Sequence, residues 1–387
     1  MISTNKIIFN THLFKGNSIP AIVTSLTYFN EQLENTTSNN AINTKNLSLS
    51  LVPSYIKLHI KDTTIAHKII TQNNWGYAIH LNSDSTIDTY LQRQFKSKYR
   101  SIIRRYVNRL EACFSITYKL YHGDISKDTY DFIFNSLKEM IVNRFKQRNE
   151  ENKELYKWDV LRDETYEKIK NKQASLFVIY DEDKPIEISL NYHFGTMLFS
   201  TISSYDINYS KFGLGHVEIY KQVEWCCANN YVLYEMGVGG MDYKRRWSDT
   251  IYNFEHHITY SKTSLLSKIK GETEIFKIKL KENLKAKKLN EIIPNLKNKF
   301  LKGKQFEEAD ENITVSAITK TNGTEQFNLN SSKEIAIDTT DYNFLKKYMY
   351  DFAYTTTKHV DTIKTYLIEE NNYLIVSENE YQKVSKN

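Results

Sequence analysis

The chain has 387 residues, 40% of them apolar and 13% aromatic, with 28 Tyr and 19 Phe against 12 Gly and 4 Pro. That composition excludes a disordered chain, and the length allows two compact domains or one domain of duplicated halves with an appendage. Net charge is a modest +6, no stretch has the roughly 18 to 20 consecutive apolar residues of a membrane span, and three cysteines cannot build a disulfide framework, so a cytoplasmic protein with no membrane span and no metal is expected.

In chain order, "IIFNTHLF" and "SYIKLHI" read as short strands, separated by an Asn/Thr/Ser-rich surface loop from Glu34 to Ser48. A strand "GYAIHL" then leads to a helix from about Thr86 to Ala112, capped by Ser83 or Ser85. Phe95, Tyr99, Ile102, Ile103, Tyr106 and Leu110 fall on one face of that helix. Its other faces carry Lys96, Lys98, Arg100, Arg104, Arg105 and Arg109, either a solvated basic face or a grip on a phosphate-bearing substrate.

"FSITYKLY" alternates as a strand does, and helices are expected over Asp124 to Glu150 and Lys157 to Lys170. "SLFVIY", "PIEISLNYHF" and "MLFSTISSY" follow with tight turns between them, which makes an antiparallel meander.

Lys211, Gly213 and Gly215 stand between the last of these strands and a helix from Leu214 to Asn229 whose face includes Val217, Tyr220 and Val223. Glycines there let backbone amides approach an anion, and the helix N-terminus adds partial positive charge; an ordinary turn is the plainer reading. A strand from Tyr231 to Val238 ends at Gly237, Gly239 and Gly240, just before Tyr243, Lys244 and Trp247. His216 reads as a capping or surface residue, and His256 and His257 as strand-borne surface groups.

From Ser261 to Lys304 there are 13 Lys against 4 Glu, whereas Gln305 to Asn387 holds 8 Lys against 14 acidic residues. The basic stretch reads as helical, facing water or the acidic tail, with a nucleic-acid or anionic-lipid role as the alternative. In the tail "ITVSAIT", "EIAID" and "NYLIVS" read as strands and "YNFLKKYMYDFAY" as a helix.

The segment from about Trp75 to Trp247 resembles the GNAT acyltransferase superfamily, and within it the CelD-like acetyltransferases of the cellulose-biosynthesis type, relatives of the FemAB peptidyltransferases. The resemblance is carried by "YAIHL", the Arg-rich "FKSKYRSIIRRYVNRLE", "FSITY", and then Asp206, Gly213, Gly215 and the Tyr243-Lys244-x-x-Trp247 block. It implies an α+β fold with a mixed, largely antiparallel sheet flanked by helices. The implied domains are an N-terminal half or partial half (1–84), an acyltransferase core (85–260), a basic helical segment (261–304) and a small acidic α+β appendage (305–387).

The resemblance further implies transfer of an acyl group, acetyl first, from acetyl-CoA or another acyl-CoA to an amine of a cell-envelope sugar, peptide or small molecule. Gly213, Leu214 and Gly215 with Lys211 would cradle the cofactor phosphate, Tyr243 and Lys244 would serve the oxyanion or leaving thiolate, and Glu187 is the candidate general base. Arg100, Arg104, Asp206 and Trp247 are the candidate substrate-binding residues, Asp206 being equally a turn former. Two departures stand out: Ser210 sits where the phosphate loop usually has Arg or Gln, and "MIVNRFK" keeps Arg144 but puts Phe145 in a Trp position. No catalytic His is assigned.

The alternatives are a FemAB-like transferase using aminoacyl-tRNA, the one case in which nucleic acid would be a partner, or an inactive GNAT-like scaffold. The oligomeric state stays open. Gly213→Glu is expected to abolish donor binding without unfolding the protein.

Overall fold

The computed structural model describes residues 4–36, 46–150, 155–239, 242–287, 313–320 and 332–386. In the N-terminal part β1 (Asn5–Ile8), β2 (Ser25–Tyr28), β3 (Glu31–Glu34), β4 (Leu47–Pro53), β5 (Ile56–His59) and the long β6 (Ile65–His80) precede α1 (Ile87–Gln94) and α2 (Ser97–Cys113). Then come β7 (Ile116–Tyr121), α3 (Lys127–Gln147), α4 (Trp158–Lys170), β8 (Ala174–Asp181), β9 (Lys184–Phe194), β10 (Met197–Tyr205), α5 (Leu214–Ala228), β11 (Leu233–Val238), α6 (Asp242–Trp247), β12 (Thr250–Ser261) and α7 (Leu265–Ala286).

These strands build a nine-stranded sheet in the order β1-β4-β12-β6-β11-β10-β9-β8-β7. Every pairing is antiparallel except β1 with β4 and β10 with β11. The fold is thus the α+β, GNAT-like one that the motifs imply. Along β8, Leu176 and Val178 join the core built with α3 and α4, while Phe177 and Ile179 join the core built with α2 and α5. Alternation along a strand sends those pairs to opposite faces, so helices cover both sides of the meander.

The C-terminal unit has β13 (Ile313–Val315), β14 (Thr319–Lys320), β15 (Lys333–Glu334), α8 (Lys346–Thr356), β16 (Lys364–Glu369), β17 (Asn372–Ser377) and β18 (Glu380–Lys386) in a separate sheet. Helix α8 packs on α2 and on the 3-10 turn Ile207–Phe212, so the appendage sits directly behind the glycine turn. The expected strands of this region shrink to two or three residues at "ITVSAIT" and "EIAID", whereas "NYLIVS" is a full strand flanked by two that its sequence did not announce.

Several expectations are corrected. The single helix over 86–112 is two helices, because Phe95 and Lys96 are extended and Phe95 drops into the core edge-on to Trp247, with ring centroids 5.1 Å apart. Its cap is Thr86 rather than Ser83 or Ser85: Thr86 N donates to Thr89 Oγ1 at 2.8 Å and Thr89 N donates to Thr86 Oγ1 at 3.2 Å, a reciprocal capping box. "IIFNTHLF" is strand only at its start; Thr11–Lys15 forms a π-helical turn that buries Leu13 and Phe14 together. The loop expected through Ser48 ends earlier, at β4, and its residues 37–45 lie outside the described residues.

His256 and His257 are strand-borne but buried. His256 Nε2 lies 2.7 Å from Ser48 Oγ, and His257 bonds His67 and Glu255 at 3.0 and 2.9 Å. The basic segment is helical to Ala286, and 288–304 lies outside the described residues.

Gly76 on β6 lies against the ring of Tyr252, which a Cβ would meet at 2.2 Å, and Tyr252 Oη donates to the buried Glu235 at 2.7 Å. Gly76→Ala is therefore expected to push the ring off its carboxylate and destabilise the protein by about 1–3 kcal/mol. Urea unfolding would show it as a lower midpoint.

Candidate active site

The parallel strands β10 and β11 pair only from Met197 to Phe199 and from Leu233 to Glu235. Beyond those residues they part, and the N-terminal half of α5 lies over the fork. Ser200, Ser203, Glu218, Tyr234, Tyr243 and Lys244 line a small cavity of about 50 Å³ in it. A larger cavity of about 210 Å³ adjoins, lined by Arg144, Glu187, Ser203, Tyr205, Gly213, Leu214, Gly215, His216, Glu218 and Tyr243. Ser203, Glu218 and Tyr243 belong to both.

Gly213 joins the 3-10 turn to α5 at φ 62° and ψ 42°, the left-handed region that favours glycine. A Cβ there would also meet the Tyr106 ring at 2.9 Å, so Gly213→Glu would strain the turn and collide with α2; the expectation of an intact fold is corrected. His216 N and Val217 N donate to Gly213 O, and no side chain caps the helix. The amides of Leu214 and Gly215 are left as its free N-terminal donors. Around Gly215 nothing lies within 4 Å of a Cβ, so this position has room for a ligand.

The same cavity is lined by a pair of carboxyls, Glu187 of β9 and Glu218 of α5. Glu187, on the face of β9 that α5 covers, is 1% exposed, and neither of its oxygens has a hydrogen-bond partner. Burial, and then the neighbouring Glu218, push its pKa well above the usual carboxylate range, against the pull of Arg144. Burial lifts Glu218 to about 7, with hydrogen bonds from Ser189, Ser203 and Gln222 and the charge of Lys244 opposing. Gln222 Nε2 donates to Glu218 Oε1 at 2.8 Å. Near neutral pH such a pair holds a proton and can take up another.

Tyr243 is pushed up to about 12, by burial first and then by Glu218, so its phenol is neutral and a donor. Trp247 Nε1 donates to His216 Nδ1 at 2.9 Å, which leaves Nε2 as the protonated nitrogen of a neutral imidazole. Burial, then Arg246, lower the His216 pKa and hold it in that neutral form. Arg144 stacks over Tyr205, 4.2 Å from the ring centroid, and places a cation on the cavity lining.

The structure thus brings Glu187, Gly213, Leu214, Gly215 and Tyr243 together, with Lys244 on the adjoining small cavity. Lys244 Nζ donates to Met236 O at 2.6 Å and Val238 O at 3.3 Å, pinning the end of β11. The other expected ligands lie elsewhere. Lys211 Nζ donates to Asp351 O and Thr355 Oγ1 of α8, at 3.3 and 3.1 Å. Asp206 caps the 3-10 turn by accepting from Asn208 N at 3.0 Å and pairs with Lys184 at 2.6 Å. Arg100 donates to Phe95 O at 2.7 Å, a carbonyl freed by the helix break, and Arg104 pairs with Asp88 at 2.8 Å in solvent. Trp247 is fully buried and reaches the cavity only through His216.

Residues not singled out beforehand are Ser203, Tyr205 and Glu218; Arg144 had been noticed without a role and His216 read as a cap. The available signal was the pair Glu218 and Gln222 at four-residue spacing, two polar residues beside the apolar Val217 and Val223. Among the described residues no group of three or more His, Cys, Asp or Glu is placed to hold a metal ion.

A mixed sheet with a helix N-terminus at a strand fork gives this part of the chain a GNAT-like fold. Residues 97–245 match the family model described as an acetyltransferase (GNAT) domain. No curated protein matches the chain. Among solved structures the chain is similar to FemX, at 11% identity over 55% of this chain and 71% of that one, with a TM-score of 0.39. It is similar also to L-PGS from Bacillus licheniformis (11% identity, 60% and 72% covered, TM-score 0.37). A third is a conserved protein of unknown function from Bacteroides thetaiotaomicron VPI-5482 (13% identity, 55% and 69% covered, TM-score 0.37).

A carboxyl whose pKa is raised on folding favours the folded state while protonated. That contribution is whole below the unfolded value of about 4.5 and is lost as pH rises through the folded value. The stabilisation carried by these two carboxyls is therefore expected to fall as pH rises from about 4.5, while the buried histidines, whose pKa values burial lowers, act in the opposite sense. Glu187→Gln should melt higher than wild type at pH 8, by on the order of 2 °C, and the gain should shrink at pH 4.5. Thermal melts at the two pH values check it.

Proposed function

We propose that the protein transfers an acyl group, acetyl in the simplest case, from an acyl-CoA thioester to an amine on a cell-envelope sugar, peptide or small molecule. The observation that carries this reading is the single cavity joining the free amides of Leu214 and Gly215 to the buried pair Glu187 and Glu218. The donor's phosphate fits the α5 turn at Gly215, where space is open. Lys211 is engaged by α8 and is left out of the cradle.

Glu218, with its pKa near 7, first takes one proton from the substrate ammonium; the neutral amine nitrogen then bonds to the thioester carbonyl carbon, and the second nitrogen proton passes to solvent as the intermediate collapses to the amide. Glu187, which stays protonated, holds the charge of the site to one carboxylate. As the carbon–sulfur bond breaks, Tyr243 gives its phenolic proton to the departing thiolate and later regains one from solvent. His216, neutral and fixed by Trp247, offers an Nε2–H donor to charge developing on the carbonyl oxygen. Arg144 would bind an anionic or hydroxyl group beside the acceptor amine. Lys244 acts by position, its ammonium balancing Glu218 and Glu235 while it holds β11.

Assay of the purified chain with acyl-CoA donors against a panel of amines tests the reading. Glu218→Gln should lower kcat by about 10²- to 10³-fold and flatten the rise of kcat/KM with pH around neutrality. Gly215→Glu should abolish calorimetric binding of desulfo-CoA with an unchanged melting curve. Binding of aminoacyl-tRNA in place of any CoA ester, with steep salt dependence, would transfer the reading to that donor. Binding of neither would leave an inactive scaffold.

A further inference from the structure

Helix α7 wears its polarity inside out. Its buried side carries Ser267, Gly271, Glu274 and Glu282 with a single buried apolar residue, Ile275, while Leu265, Leu266, Ile269, Phe276, Leu280 and Leu284 are 43–74% exposed. At 100° per residue those six apolar side chains fall within an arc of about 100° along a helix about 33 Å long. The polar side is fixed to the body of the protein. Ser261 N donates to Ser267 Oγ at 2.8 Å, Ser48 Oγ donates to Glu274 at 3.1 Å, and Asn73 N donates to Glu282 at 2.7 Å. Rolling the helix to bury its apolar stripe would break all three bonds, so the stripe is held outward.

Exposed lysines flank the stripe on both shoulders, Lys268 and Lys279 on one and Lys277 and Lys281 on the other. Glu272, the acid on the first shoulder, accepts from Tyr260 Oη at 2.6 Å. An apolar ridge between two cationic rows matches an anionic lipid surface, whose acyl region takes the ridge while the headgroups meet the ammonium groups. A two-fold pairing of two copies along this stripe would set lysines against lysines. No described helix is long and apolar enough to cross a membrane, so the geometry is that of a helix lying on one.

We propose that α7 docks the protein in the plane of an anionic membrane surface, Phe276 and Leu280 inserting at its centre. The inference stands independently of the transferase reading. The test is flotation of the full chain with phosphatidylcholine vesicles prepared with and without phosphatidylglycerol, at low and high salt.

Wild type should float with the anionic vesicles only, and less so at high salt. Phe276→Ser with Leu280→Ser should cut partitioning by at least about tenfold, and Lys277→Ala with Lys281→Ala should weaken it and reduce its salt dependence. All four side chains point to solvent, so melting curves should stay at wild type. Failure of wild type to float, or floating that neither double variant changes, overturns the proposal. So does a dimer in sedimentation velocity that Phe276→Ser with Leu280→Ser dissolves, which would assign the stripe to a second copy.

Discussion

Two carboxyls buried against each other beneath α5 impose the condition around which the centre of this protein is arranged. An isolated buried carboxylate costs several kcal/mol, so each such group must be neutralised, hydrogen-bonded or opposed by a cation. All three devices occur. Glu187 is kept protonated, Glu218 draws on Ser189, Ser203 and Gln222, and the ammonium of Lys244 lies under the influence of both Glu218 and Glu235. The same condition explains the polar run Glu187, Ser189, Asn191 and His193 along one face of β9. It continues away from the cavity as a bonded chain: Ser189 to Asn191 at 3.0 Å, Ser175 to His193 at 2.8 Å and His193 to Tyr231 at 2.8 Å. Glu187 alone in this run has no partner for either oxygen. A group left in that state next to an open cavity is the one whose environment a ligand would change most.

The basic groups expected to hold phosphate serve another anion-like feature, the C-terminus of α8. Lys211 donates to Asp351 O, Arg109 donates to Tyr354 O at 2.7 Å, and Cys113 Sγ lies 3.3 Å from Ala353 O. Of these, Tyr354 O lies in the last turn, whose carbonyls lack intrahelical donors, and cations near a helix C-terminus are favoured by the helix dipole. The appendage therefore clamps α2 and the glycine turn from behind. In the function proposed above, anion recognition falls to the amides of Leu214 and Gly215, which need no side chain and hence no Arg or Gln at the position of Ser210.

Local pattern revealed what depends on local pattern. The meander could be read because period-two alternation and the turn residues of "DEDK" lie within a few residues of one another, and β10 runs over the residues expected of it. The break at Phe95 was hidden, because the force that stops the helix is burial beside Trp247, a residue some 150 positions away in the chain. Glu218 was hidden for a related reason: glutamate on an amphipathic helix reads as solvent-facing unless the strand beneath it is known to be polar. The exposed apolar face of α7 reversed the same rule, since its buried polar groups find partners on β4, β6 and β12 that no helical periodicity displays.

Tyr106 shows how the Arg-rich helix contributes to the site without its arginines. Its ring covers Gly213 closely enough to exclude a Cβ and stacks on the imidazole of His216 with centroids 5.6 Å apart and planes within 5°. One side chain of α2 thereby sets both the left-handed turn that frees the α5 amides and the plane of the imidazole beside them. Trp247 completes the constraint from the other side, because its indole N–H needs Nδ1 as an acceptor and a second proton on the ring would cost that bond. His216 is thus held as a neutral Nε2 donor, while in the proposed function acceptance of a proton falls to the carboxyl pair. Donor and acceptor roles in the cavity are separated by packing contacts that lie outside it, and the two blocks that carry the family resemblance, the basic helix and the Tyr-Lys-x-x-Trp motif, are the sources of those contacts.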